Sequence, residues 1–176
     1  MPFTPYHFGP NGFVGLVFRR WIDLPIFLLA NVIIDIEVLF AEGWPVHQHW
    51  HFHTFLVGGA VCAVFAVTAW PARHLFEKIM HSFHLPYETS MWKMVFSGIL
   101  GAWLHIFIDA FYHFDVQPFW PMLRNPLWRM RLLSKDQIKV ICLAFIVATV
   151  ILYLYIVIKG KAVHCSAQSS RESTSE

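Results

Sequence analysis

Long apolar runs, interrupted by short stretches rich in arginine, proline or histidine, set the pattern of this chain. The four longest extend from about Ile22 to Phe40, Thr54 to Trp70, Met91 to Phe114 and Ile138 to Ile158. A helix rises about 1.5 Å per residue and a bilayer hydrocarbon core is about 30 Å thick, so each run has roughly the length of a spanning helix. Pro71 and Pro86 bracket the stretch between the second and third runs and oppose one continuous helix there. Within it, Ala72 to Phe83 places Leu75, Phe76, Ile79, Met80 and Phe83 on one stripe, with His74, Glu77, Lys78 and His81 mostly elsewhere. That pattern predicts a short interfacial helix.

Ahead of the first run, Phe8 to Phe18 is apolar but too short to cross a bilayer. Gly9, Pro10 and Gly12 open it, and Arg19 and Arg20 close it, which predicts a half-helix folded against the others. Asp35 and Glu37 interrupt the apolar run after the arginines, and no small-residue cleavage site follows, contrary to a cleaved signal peptide. The polar end, Ser166 to Glu176, is expected to be disordered. The expected fold is therefore all-α and polytopic. It has about four transmembrane helices plus the N-terminal half-helix and the interfacial helix, in one domain over residues 1–165.

Composition strengthens the membrane assignment. Of 176 residues, 57% are hydrophobic and 14% charged, where a soluble domain carries nearer a quarter charged residues. The net charge of +2 gives no reason to expect a nucleic-acid partner. Cys62 and Cys142 fall in apolar runs and Cys165 in the polar tail, with no disulfide or thiolate-zinc spacing.

The basic residues orient the chain. If helices alternate across the bilayer and Phe8 to Phe18 dips in and returns, one side receives Arg19, Arg20, Arg73, Lys78, Lys93, Lys159, Lys161 and Arg171. The other receives no Lys or Arg from the N-terminus or from Ala41 to Trp50, but does receive Arg124, Arg129, Arg131, Lys135 and Lys139. The positive-inside rule places the first group in the cytoplasm.

Ionisable residues inside a membrane are costly and usually paired. Asp35 and Glu37 lie in the C-terminal half of the first span, and His49, His51 and His53 at the start of the second. In the third, His105, Asp109 and His113 recur every four residues and share one helical face, which Ser97 and Gly101 continue. Alternating topology brings all of these, together with His7, to one bilayer face. Imidazole and carboxylate together suit zinc, iron, manganese or nickel, and a metal removes the penalty of burying the carboxylates. Two plainer readings stay open. His105, Asp109 and His113 can form a hydrogen-bonded polar seam between helices. The run from His47 to His53 can be an interfacial belt of aromatic and imidazole groups. His74, His81, His84 and His164 fall on the opposite side and read as surface.

Several stretches resemble bacterial YdjM-like proteins, described as membrane-bound metal-dependent hydrolases. They are the opening Met1-Pro2-Phe3-Thr4-Pro5-Tyr6-His7-Phe8-Gly9-Pro10, Asn31-Val32-Ile33-Ile34-Asp35-Ile36-Glu37, His49 with His53-Thr54, and His105-Ile106-Phe107-Ile108-Asp109. Asp115-Val116-Gln117-Pro118-Phe119 and Asn125-Pro126-Leu127 are similar to that family's last loop, so the likeness spans about residues 1–130. More distantly, the order His, Asp, His, His-x-x-x-Asp looks like part of the ligand order of zinc-dependent phospholipases C. That likeness implies His7, Asp35, His53, His105 and Asp109 as ligands, Asp109 as a bridge between two ions, and phosphoester hydrolysis. The pattern stops after Asp109, with no later His-x-x-x-Glu pair.

The sequence is thus read as a membrane-embedded hydrolase of a phosphoester, with membrane lipid as neighbour and candidate substrate. It would sit in the bacterial inner membrane with its site on the non-cytoplasmic side. One or two divalent ions would be held by Asp35, His53, His105 and Asp109, with His7 and His49 as outer candidates. Glu37 or His113 would orient a ligand or move a proton, and Arg124, Arg129 and Arg131 would grip a phosphate. The alternatives are a metal or proton transporter, for which a polar path should continue into the cytoplasmic half, and a structural protein with a polar seam.

Overall fold

The computed structural model describes residues 4–40, 51–122 and 124–172, and every regular element among them is helical. The helices are α1 (Thr4–Val17), α2 (Leu24–Phe40), α3 (Phe55–Thr68), α4 (Arg73–Ser82), α5 (Met91–Tyr112), α6 (Pro126–Arg129) and α7 (Lys135–Glu172). α5 forms the centre, with α2 and α3 packed against it, while α1 bridges α2 and α7.

Small residues explain how α5 accepts two neighbours. Its buried face reads Ser97, Gly98, Gly101, Ala102, His105, Ile106, Asp109. A Cβ on Gly98 would fall 2.6 Å from the Cys62 carbonyl oxygen of α3, and one on Gly101 2.5 Å from that of Phe27 in α2. Neither backbone can yield without moving a helix, so the sequence keeps both positions bare. Ala30, Ile34, Cys62, Ala102 and Ile106 then close the core between the three helices. Gly101→Ala should cost about 1–3 kcal/mol as an overpacked contact. Gly160→Ala, where a methyl meets nothing within 4 Å, should be neutral or mildly stabilising. Unfolding in mixed detergent and dodecyl sulfate measures both, and equal stabilities would refute the close-approach account.

Two helices among the described residues are long and apolar enough to cross a membrane, Met91–Tyr112 and the Lys135–Gly160 part of α7. The predicted second span forms a continuous helix of only 14 residues, and the chain breaks at Pro71 as expected. α3 stops at Thr68, a tight turn over Trp70–Ala72 carries Pro71, and the chain bends by 52° into α4. Proline removes a helical donor and crowds the preceding turn, so the run breaks where Pro71 stands. Counted as one broken span, this pair is a third candidate. α2 has 17 residues, about 25 Å of rise.

The half-helix exists but begins earlier than its apolar residues implied, with Pro10 inside it. Pro10 forfeits one helical hydrogen bond. α7 supports that turn, because Gly9 and Gly12 lie directly against it and the Thr149 hydroxyl donates to the Gly9 carbonyl at 2.9 Å. In α4 the predicted stripe divides: Phe76 and Met80 are buried, whereas Leu75, Ile79 and Phe83 are exposed. α7 shows the same outward apolarity, with Val140, Leu143, Val147, Val150, Ile151 and Leu154 all exposed. So large an uncovered apolar surface is what a lipid-facing helix presents. The helix of α7 also continues past residue 166, through Glu172.

Candidate metal centre

Three helices bring polar residues to one place in pairs spaced four apart, hence on one face of each helix. α1 supplies His7 and Asn11, α2 supplies Asn31 and Asp35, and α5 supplies His105 and Asp109; all six are buried. His53 arrives from the turn before α3. Thr54 caps that helix, its hydroxyl accepting the Val57 N–H at 3.1 Å, and the Phe55 N–H donates to the Pro118 carbonyl at 2.9 Å. The turn is thereby pinned from both sides, and His53 points inward, fully buried.

At the centre, two imidazole nitrogens alternate with two carboxylate oxygens. His105 Nε2 lies 3.2 Å from Asp35 Oδ1 and 3.1 Å from Asp109 Oδ2. His53 Nε2 lies 3.6 Å from each of the same two oxygens. All four ligand atoms fall within 4.8 Å of one another. Four ligands around one zinc at bond lengths of about 2.0–2.2 Å stand about 3.3–3.6 Å apart, so the four imidazole-to-carboxylate separations suit a shared cation. Hydrogen bonding fits less well. Despite its two near oxygens, His105 Nε2 makes no hydrogen bond of acceptable geometry. One N–H cannot aim at two carboxylates at once, whereas one cation between the atoms can attract all of them. This donor set and spacing suit a divalent metal, and the buried group Asp35, His53, His105 and Asp109 can hold one.

The other predicted residues take different stations. His7 Nε2 lies 3.1 Å from Asp109 Oδ1, the oxygen turned away from the central four, and the His7 ring stacks near that of His105 at 4.1 Å. It therefore joins the centre through Asp109. Glu37, two residues beyond Asp35, also reaches His53, from the opposite side. Its carboxylate accepts the backbone N–H groups of His51 at 2.5 Å and Phe52 at 2.6 Å, and lies 3.5 Å from His53 Nδ1. Asp35 thus faces one nitrogen of the ring and Glu37 the other. His113 follows the end of α5 in extended conformation, so it leaves the helical face shared by His105 and Asp109. Its ring lies beside Tyr112 and outside the central four. His49 lies outside the described residues.

The three arginines stand at this same end of the bundle. Asn125 caps α6 and donates to the carbonyls of Ala110 at 2.8 Å and His113 at 3.0 Å, which ties α6 to the C-terminus of α5. Arg124, Arg129 and Arg131 are exposed, and Arg131 stacks over Trp128 at 5.9 Å.

Sequence reading passed over the two buried asparagines as site residues. Asn31 Oδ1 lies 3.2 Å from His105 Nδ1 and also accepts the Asn11 amide. The available signal was the spacing: Asn11 follows His7 by four, and Asn31 precedes Asp35 by four, each inside an apolar run. Comparisons with family models, with curated proteins and with solved structures found no match.

Proposed function

We propose that this chain is a metal-dependent hydrolase of the bacterial cytoplasmic membrane, acting on a phosphoester, and that a membrane phospholipid is the natural substrate class. The observation that carries this reading is the ring of two imidazole nitrogens and two carboxylate oxygens around one buried point. Zinc is the first candidate by donor type, with one ion held by Asp35, His53, His105 and Asp109 and a second, if bound, on the His7 side of Asp109. Such an ion polarises a phosphoryl oxygen and eases ionisation of a water near neutral pH. The resemblance to YdjM-like hydrolases and the partial ligand order of zinc phospholipases point to the same reaction class.

The chain's own residues contribute the rest. Asp35, Asp109 and the two imidazoles hold the charge, Glu37 fixes the turn that delivers His53, and the exposed arginines at the same end offer guanidinium groups to an anionic substrate. In this reading α2, the broken α3–α4 pair, α5 and α7 make four crossings. The end bearing Arg19, Arg73, Lys78 and Lys93 faces the cytoplasm, and the centre opens on the other side. Transport is supported less. Between the Asn31–His105 contact and the next buried polar group, Ser97, the α2–α5 interface is Phe27, Ala30, Gly101 and Ala102, an apolar plug of about two helical turns.

Purified protein assayed on phosphomonoesters, phosphodiesters and phospholipids, before and after chelation, tests the reading. Chelator-sensitive hydrolysis of at least one class is expected. Alanine at Arg124, Arg129 and Arg131 together should lower kcat/KM by about tenfold or more at unchanged metal content, the loss of charge-assisted phosphate contacts. Full activity in that triple variant removes the clamp. Absence of chelator-sensitive hydrolysis across the panel removes the hydrolase.

A further inference from the structure

The Asn11–Asn31 pair sits behind His105, on the side away from the two carboxylates. All three residues are fully buried. The orientation of the Asn31 amide follows from its neighbours. Its Nδ2 lies 2.9 Å from the Leu28 carbonyl oxygen and 3.4 Å from that of Phe27. Carbonyl oxygens only accept, so the amide nitrogen must face them and Oδ1 must face the other way. Oδ1 then receives the Asn11 amide N–H. It also faces His105 Nδ1 at 3.2 Å. An amide oxygen cannot donate, so Nδ1 must carry the proton in this contact.

We infer that Asn31, held in place by Asn11, is a positioning residue that locks His105 in its Nδ1–H form and turns Nε2 toward Asp35 and Asp109 as a metal-binding nitrogen. The inference rests on the proposed metal centre for its purpose, though not for its geometry. A ligating histidine commonly anchors its far nitrogen on an outer acceptor, which sets both the tautomer and the ring orientation. His53 has the corresponding arrangement, with Glu37 Oε2 3.5 Å from Nδ1 and both aspartates on the Nε2 side. The two acceptors differ in charge. Glu37 is a carboxylate and strengthens its ring as a donor, whereas Asn31 is neutral and chiefly orients.

Zinc titration against a competing chelator on the full-length protein in detergent, with wild type, Asn31→Leu, Asn31→Asp and Asn11→Leu, tests this. Leucine keeps the branching of asparagine, is bulkier and offers no acceptor; aspartate keeps the acceptor and adds charge. Asn31→Leu should weaken zinc binding about 10–100-fold, the usual effect of losing an outer partner. Asn31→Asp should stay within about tenfold of wild type, and Asn11→Leu should fall between. A role limited to packing predicts the reverse order, leucine tolerated and aspartate harmful, and that result overturns the inference. Nitrogen NMR of histidine-labelled, metal-free protein reads the tautomer directly, with His105→Gln assigning the signal. A ring protonated at Nδ1 is expected, and protonation at Nε2 alone refutes the lock. If wild type binds no zinc, the metal centre itself fails, and the spectrum still decides the tautomer.

Discussion

Purified protein carrying alanine at both His105 and Asp109 is expected to hold no divalent metal, whereas wild type holds one or two ions per chain. The two residues stand one turn apart on α5 and supply one nitrogen and one oxygen of the central four. Removing both leaves Asp35 and His53 facing each other with half of the donor set. Loss of an outer hydrogen-bond partner alone lowers metal affinity about 10–100-fold, so loss of two ligands should exceed that by far. Because the alanines also open space in the interior, His105→Gln with Asp109→Asn is the companion variant, close in size and without the carboxylate. Its helix content should match wild type while its metal content falls. His113→Ala, outside the central four, should retain the metal. Elemental analysis of protein purified without chelators, then equilibrated with zinc and desalted, gives the answer. A well-folded wild type that binds no divalent ion would return these residues to a polar seam joining three helices.

Much of the fold was legible because helices long and apolar enough to cross a membrane announce themselves by length and apolarity. Met91–Tyr112 and Lys135–Gly160 fall almost where their apolar runs lie. What misled was local. Thr54 to Trp70 reads as one crossing by hydropathy, but its helix has only 14 residues, and it qualifies as a span only together with α4, beyond the break expected at Pro71. Phe8 to Phe18 reads as a segment opened by Gly9 and Pro10, but the helix starts at Thr4 because α7 packs against those residues. A contact between residues 9 and 149 leaves no trace in local periodicity.

The candidate site was legible through spacing and topology. His105 and Asp109 share a face at four-residue spacing, and alternation of hairpins brings Asp35 and His53 to the same end. The parts that were not legible depend on where helices stop. His113 continues the four-residue spacing, yet α5 ends at Tyr112 and the next residue turns away. Asp35 and Glu37 lie two apart and should face different ways on a helix, which made Glu37 hard to place. The turn carrying His53 crosses the end of α2, so one ring meets both carboxylates through different nitrogens. Only a tertiary contact could reveal that. The asparagines were hidden by type, since a neutral amide in an apolar run is as easily a helix-to-helix hydrogen bond as an outer partner of a ligand.

A second buried polar cluster, at the far end of the bundle, should dominate stability without touching the centre. Asp23 is fully buried just ahead of α2. Its Oδ1 accepts the Ile26 N–H at 3.2 Å, capping the first turn, where Pro25 has no N–H to offer. Its Oδ2 accepts the Tyr87 hydroxyl at 2.8 Å and the Thr89 hydroxyl, and its own N–H donates to Ser97 Oγ at 2.7 Å. Four separate parts of the chain therefore meet on one residue: the α1–α2 turn, α2, the segment before α5, and α5. Burial, together with the carboxylate it faces, pushes the Tyr87 phenol upward, so it stays a donor throughout the ordinary pH range. Asp23→Ala removes a cap worth about 1 kcal/mol. It also strips the acceptor from two half-buried hydroxyls at about 1 kcal/mol each, giving an expected loss of about 2–4 kcal/mol. Asp23→Asn keeps one acceptor oxygen and should lose about half of that. Glu88→Ala, an exposed side chain in the same segment, should be silent. Reversible unfolding in mixed detergent and dodecyl sulfate ranks the three, and zinc binding by the folded Asp23→Ala protein should equal that of wild type. An Asp23→Ala protein within about 0.5 kcal/mol of wild type would mean that the helices hold this end together by packing alone.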